Sequence, residues 1–202
     1  MQVSGNKVNL RGTWWFLAGI ASMLLIGWVA FPSMLYENIP QPIQFSHYIH
    51  TREKVGLNCD DCHAFRADGS FSGIPTIQTC AKCHQVQMSD SPEEKKVVEE
   101  YVSKNREIPW LVYARQPQNA FFSHAPHVKL ANIECSRCHG PHGSTNALPP
   151  FERNRISGYS KALWGPHISG RKSHEWEGMM MDDCSHCHNA RHVHESCLDC
   201  HK

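Results

Sequence analysis

Three features of this 202-residue sequence predict one apolar N-terminal helix followed by a mostly irregular, short-helix domain with little sheet. The first is a pentapeptide, Cys-x-x-Cys-His, that occurs five times. Its copies are Cys59-Asp-Asp-Cys62-His63, Cys80-Ala-Lys-Cys83-His84, Cys135-Ser-Arg-Cys138-His139, Cys184-Ser-His-Cys187-His188 and Cys197-Leu-Asp-Cys200-His201, and together they use all ten cysteines. The second is an uncharged stretch from Gly12 to Tyr36. The third is economy of chain: about 165 residues follow that stretch, roughly 33 for each pentapeptide, too few for five ordinary hydrophobic cores.

The pentapeptide is the attachment pattern of c-type haem. Two thiols three residues apart lie on one face of a helical turn, where each can form a thioether to a haem vinyl group. The histidine that follows projects under the same ring and supplies a nitrogen to iron. Zinc sites and redox disulfides also use Cys-x-x-Cys, but neither needs a histidine immediately after the second cysteine, five times in five. The sequence therefore reads as a multihaem cytochrome c with five covalent haems. The proximal iron ligands are His63, His84, His139, His188 and His201. The porphyrins are expected to serve as the core, with loops and short helices stapled around them.

The N-terminal run includes Trp14-Trp-Phe-Leu-Ala-Gly-Ile-Ala-Ser-Met-Leu-Leu-Ile-Gly-Trp-Val-Ala-Phe31. About 20 such residues cross a bilayer, and Trp14, Trp15, Trp28 and Tyr36 suit the two interfaces. The alternative is a cleaved signal peptide, but the run is long for one, and cleavage after Ala30 would place Trp28 at the −3 position. We read residues 1–38 as a cytoplasmic N-terminus and an uncleaved transmembrane signal-anchor. Lys7 and Arg11 keep the N-terminus inside. The expected location is the cytoplasmic (inner) membrane, single-pass, with the haem domain on the periplasmic side, where covalent haem attachment takes place.

Beyond the anchor an internal repeat is visible. Phe45-Ser-His47-Tyr-Ile-His50 precedes the first pentapeptide, and Phe121-Phe-Ser-His124-Ala-Pro-His127 precedes the third. The expected modules are 39–105 with sites one and two, and 106–202 with sites three to five. Between them Ser91-Pro92-Glu93-Glu94 is a capping box. Val97, Val98, Tyr101 and Val102 share a face of the helix it starts, which reads as a structural spacer to about Lys104.

Ten histidines remain after the proximal five. His47, His50, His124 and His127 are the leading candidates for distal iron ligands, because their context is repeated and each pair can serve two sites from one turn. Pro126 argues against a regular helix at the second pair. His167, His192, His194 and Met181 are candidates for the fifth distal position. The surplus of histidines leaves room for an additional, non-covalent haem. No motif carries lysine in the proximal position, so we expect capped irons and an electron wire, with no catalysis by this chain alone. The formal charge is +1 with neutral histidine; ten haem propionates would make the finished protein acidic and attractive to a basic partner. No basic block suits nucleic acid.

The Phe-x-His-x-x-His element before Cys-x-x-Cys-His resembles the cytochrome c3 and c7 group. A broader resemblance runs from about residue 12 to the C-terminus. The membrane helix, Gln41-Pro-Ile-Gln-Phe-Ser-His47, Ile108-Pro-Trp110 before Phe121-Phe-Ser-His124, and Met181-x-x-Cys184 together resemble two related families. These are the pentahaem subunit of alternative complex III and the multihaem cytochrome subunit of the Qrc menaquinone reductase of sulfate reducers. The crowded fourth and fifth sites are more similar to Qrc. Asp182-Asp183 departs from the Gly-Trp of the alternative complex III pattern. The resemblance implies an iron–sulfur subunit, a molybdopterin-oxidoreductase-like subunit and a polytopic membrane subunit as partners. It further implies electron delivery by a soluble cytochrome c3 to the iron–sulfur subunit of a respiratory menaquinone reductase. Quinol oxidation, as in alternative complex III or in a NapC/NrfH-type quinol dehydrogenase, is the alternative.

Overall fold

The computed structural model describes residues 10–52, 55–112, 120–158, 174, 176, 179–194 and 196–201. Lys7 and the Trp164-Gly-Pro-His167 segment, with the candidate His167, lie outside the described residues.

The apolar run forms one helix in three stretches: Leu10–Leu25, a wider π-helical turn at Ile26–Ala30, and Phe31–Leu35. Proline explains the widening. Pro32 has no N–H to donate to the carbonyl four residues back. The backbone adjusts one turn earlier, where the Phe31 N–H bonds to Ile26 O. Gly12–Ala30 is long and apolar enough to cross a membrane, with a mean hydropathy of 1.6 and none of that stretch buried. Its tryptophans stand clear of the rest of the protein, Trp15 at 80 % exposure. A helix apolar on every side needs an apolar surrounding.

Little sheet forms, as the sequence implies. Strand β1 (Tyr36–Ile39) leaves the helix and pairs antiparallel with β2 (Phe151–Asn154), in the register Tyr36↔Asn154 to Ile39↔Phe151. Glu37 faces Arg153 across the pair, and Arg153 Nε donates to Glu37 Oε1 at 2.6 Å. An opposite-charge pair directly across a ladder favours this register. A late segment of the chain is thus tied to the foot of the apolar helix.

The protein's own core among the described residues is small: Ile43, Ile77, Tyr101 and Ile108, with Cys80, Val97, Val102 and Trp110 packed against it. The helix that begins at Pro92 supplies Tyr101. It runs as Pro92–Lys96, capped by Ser91, and continues as a wider turn over Val97–Val102. Polar clips hold this core to the chain leaving the membrane helix. The buried Gln41 acts like a short strand, donating to Leu111 O at 2.8 Å and accepting from Leu111 N–H at 3.1 Å. Lys96 Nζ donates to Pro42 O at 2.8 Å, and Gln44 N–H donates to Glu93 Oε2 at 2.8 Å.

Candidate haem sites

Each pentapeptide has its first cysteine in a short helix. Cys59–Cys62, Cys135–His139 and Cys197–Cys200 are helices of four or five residues, Cys80 ends in Ile77–Ala81, and Cys184 lies in the longer Met181–Ala190. The backbone N–H of His63, His84 and His201 bonds to the carbonyl of the first cysteine of its own motif, at 2.8 to 2.9 Å. That one bond fixes the histidine relative to both thiols. Aspartates stabilise three of these turns by accepting from the N-cap N–H at 2.7 Å: Asp61 from Asn58, Asp183 from Met180 and Asp199 from Ser196. The aspartate at 183, unexpected from the alternative complex III pattern, is thus a helix cap. Gly140, just past the third motif, has φ +66°, and a Cβ there would lie 2.6 Å from the Trp176 indole, so only glycine fits.

The two copies of the repeated element adopt nearly the same local geometry. The Phe45 ring lies 4.9 Å from His47 at 85° and 4.4 Å from His50 at 23°; Phe122 lies 4.9 Å from His124 at 85° and 4.5 Å from His127 at 29°. His50 Nδ1 meets Ser46 O, and His127 Nδ1 meets Ser123 O, both at 2.8 Å. With the Nδ1 proton committed to a carbonyl, Nε2 presents its lone pair outward. His63 Nδ1 is held the same way by Gly73 O at 2.8 Å.

The fold then brings these histidines opposite the pentapeptides. His50 faces His84 at 6.1 Å between ring centres, His124 faces His139 at 6.2 Å, and His127 faces His188 at 6.1 Å. Two imidazoles bound to one metal ion stand about 6.4 Å apart, from a metal–nitrogen bond of about 2.0 Å and about 1.2 Å from nitrogen to ring centre. The three pairs therefore fit an iron held between two histidines. His47 lies within electrostatic reach of His63. Burial, helped by His63, His142 and His50, lowers the pKa of His47 to about 4, which keeps it neutral. Burial also lowers His124, with His139 and His127 adding to the effect, and lowers His139, with His142 and His63 adding. His192, His194 and Met181 are exposed and enter none of these pairings.

Thiols of different motifs come within electrostatic reach of one another. Cys135 is hydrogen-bonded to Cys59, Cys80 lies near Cys62, and Cys138 lies near Cys187. Partial desolvation raises the thiols of Cys62, Cys80, Cys135 and Cys138. The Phe71 ring stacks on His124 at 4.2 Å and lies 6.5 Å from His63, nearly parallel to each. The fifth motif meets the second repeated element where Phe121 N–H donates to Cys200 O at 2.6 Å.

One contributor was missed by the sequence reading. The helix starting at Pro92 reads in the sequence as a structural spacer, yet its Glu94 accepts from His84 Nδ1 at 2.9 Å. In a capping box the glutamate turns back to the N-cap N–H. Here Ser91 N–H goes to Ser89 Oγ instead, and Glu94 gathers Met88 N–H at 3.0 Å, Ser89 N–H at 2.8 Å and the Ser89 hydroxyl. Desolvation, which raises the Glu94 pKa, is outweighed by the bonds from Ser89, Met88 and His84, and the pKa falls to about 2.

Comparison with known proteins agrees with this chemistry. The class III cytochrome c family matches residues 31–108. Over 214 aligned residues the chain is 36 % identical to the menaquinone reductase multihaem cytochrome c subunit of Nitratidesulfovibrio vulgaris strain Hildenborough, spanning 98 % of this chain and 94 % of that protein. With three pairs of facing imidazoles and near-complete alignment to that subunit, the chain belongs to the family of menaquinone reductase multihaem cytochrome c subunits.

Proposed function

We propose that this chain takes electrons from a soluble periplasmic cytochrome of the c3 type and passes them to the iron–sulfur subunit of a membrane-bound menaquinone reductase. The observation that carries the reading is the set of three imidazole pairs at 6.1 to 6.2 Å, each joining a pentapeptide histidine to a histidine of the repeated element. Haem irons supply reversible one-electron exchange when bound. Imidazoles on both faces leave no position for a substrate, so the chain's residues serve conduction.

In this reading the ten cysteines hold five covalent haems. His63, His84, His139, His188 and His201 are the proximal ligands, and His47, His50, His124 and His127 the distal ligands of sites one to four. The fifth distal ligand comes from His167, His192, His194 or Met181. The thiol contacts support the site order second, first, third, fourth, with modules 39–105 and 106–202 joined where Cys59 meets Cys135. The helix, uncharged from Gly12 onward, anchors the chain in the inner membrane with the haem domain periplasmic. It carries no ionisable side chain through its apolar stretch, which supports quinone binding in another subunit. A molybdopterin-oxidoreductase-like subunit and a polytopic subunit complete the proposed complex.

The test uses the purified complex. Reduction by cytochrome c3 should be rapid and slow as salt rises, and the isolated chain should be inactive with menaquinone analogues. Fast quinol oxidation by this chain alone would overturn the reading in favour of a NapC/NrfH-type quinol dehydrogenase. Preferred delivery from quinol to a high-potential cytochrome would favour a role like that of alternative complex III.

A further inference from the structure

The hydrogen bonds to the histidine Nδ1 atoms are not all alike. His50, His63 and His127 each meet a backbone carbonyl at 2.8 Å. His84 meets the carboxylate of Glu94 at 2.9 Å. The Glu94 side chain is only 9 % exposed. Its position is fixed from several directions: Ser91 Oγ accepts from the Glu94 N–H at 3.4 Å, Oε1 also accepts from Met88 N–H, and Oε2 accepts from the N–H and hydroxyl of Ser89. A carboxylate draws the Nδ1 proton more strongly than a neutral carbonyl does. The imidazole then donates more electron density through Nε2 to a bound metal, which favours the higher oxidation state.

We propose that Glu94 is a positioning residue for the second haem site, where it orients the His84 ring and lowers the reduction potential of the iron that His84 binds. The inference depends on His84 being an iron ligand; it does not depend on which partner donates or accepts electrons. Ser89 takes part as a moderator. Its hydroxyl and N–H share the charge of Glu94 and limit how much of it reaches His84.

The test is a spectroscopically monitored redox titration of the full-length holoprotein, wild type against Glu94→Gln, Glu94→Asp and Ser89→Ala, with haem content measured alongside. Glu94→Gln should move one component of the titration to higher potential and leave the others in place. Glu94→Asp, which keeps the charge, should return that component toward the wild-type value. Ser89→Ala should move the same component to lower potential, because the carboxylate loses a competing donor. An unchanged titration of a fully loaded Glu94→Gln protein would overturn the proposal, and so would a uniform shift of every component. Should Glu94→Gln lose haem, Ser89→Ala decides: a downward shift of one component supports the proposal, and no shift overturns it. Loss of low-spin character in His84→Ala is the separate check that His84 is a ligand at all.

Discussion

The ring pairs differ in twist, and the difference gives each site a spectroscopic signature. Interplanar angles are 5° for His124–His139, 19° for His127–His188 and 55° for His50–His84. Each imidazole plane imposes a two-fold splitting on the iron orbitals beneath it, and two such planes combine as the cosine of the angle between them. The combined splitting is about 1.0, about 0.95 and about 0.57 of the parallel value for the three pairs. In electron paramagnetic resonance of the oxidised protein, these three sites should contribute two similar rhombic low-spin signals, from the third and fourth sites, and one clearly more anisotropic signal from the second. Replacing His50 by alanine should erase that anisotropic signal and convert one site to high spin, while the two rhombic signals keep their intensity. Loss of a rhombic signal with the anisotropic one intact would refute the assignment of His50 to the second site. An entirely low-spin His50→Ala protein would refute its role as a ligand.

Four further outcomes follow from other contacts. Gln41→Ala strands both main-chain groups of Leu111 and should cost about 2–4 kcal/mol, read as a lower thermal midpoint of the holoprotein. Asp183→Ala removes the N-terminal cap of the fourth-site helix, worth about 1 kcal/mol, and should lower occupancy at that site by mass spectrometry; Asp183→Asn should largely restore it. Phe71→Leu removes the ring stacked between His63 and His124, and should slow electron equilibration after a laser pulse without moving any potential in a static titration. Reversing the charge of Lys7 and Arg11 should reduce membrane insertion and haem loading together, measured by fractionation and haem staining.

The sequence showed attachment chemistry because covalent spacing is local. Cys-x-x-Cys-His states its own geometry within five residues, and the repeated Phe-Ser-His-x-x-His could be recognised as a unit before any contact was known. The partner of each histidine was not legible. His50 precedes the first pentapeptide but faces His84 of the second, an outcome set by how residues 64–83 fold back. Glu94 was hidden because a glutamate in a capping box already has a local explanation, and only the return of His84 and Ser89 to that helix gives it another. β2 was hidden for a different reason. Phe-Glu-Arg-Asn at 151–154 is short and polar, and the cross-strand charge contact with Glu37 that favours its register lies more than a hundred residues away in sequence.

The repeated element also explains why so few residues can space several redox centres. Its first histidine starts a helical turn and its second lies three residues on, so the two rings leave the backbone as neighbours, about 5–6 Å apart at Cβ. The phenylalanine meets the first ring edge-on and stacks on the second, and the serine carbonyl holds the second at Nδ1, so both rings are oriented by residues of the same hexapeptide. The copy at 122–127 reproduces this arrangement although Pro126 interrupts the sequence pattern. Proline falls in the first turn of the wider helix Ala125–Leu130, where its missing N–H has no partner to lose. In that copy His124 and His127 face His139 and His188, histidines of two successive pentapeptides. In the proposed ligation, the separation of those two sites follows from one helical turn and not from the packing of distant loops.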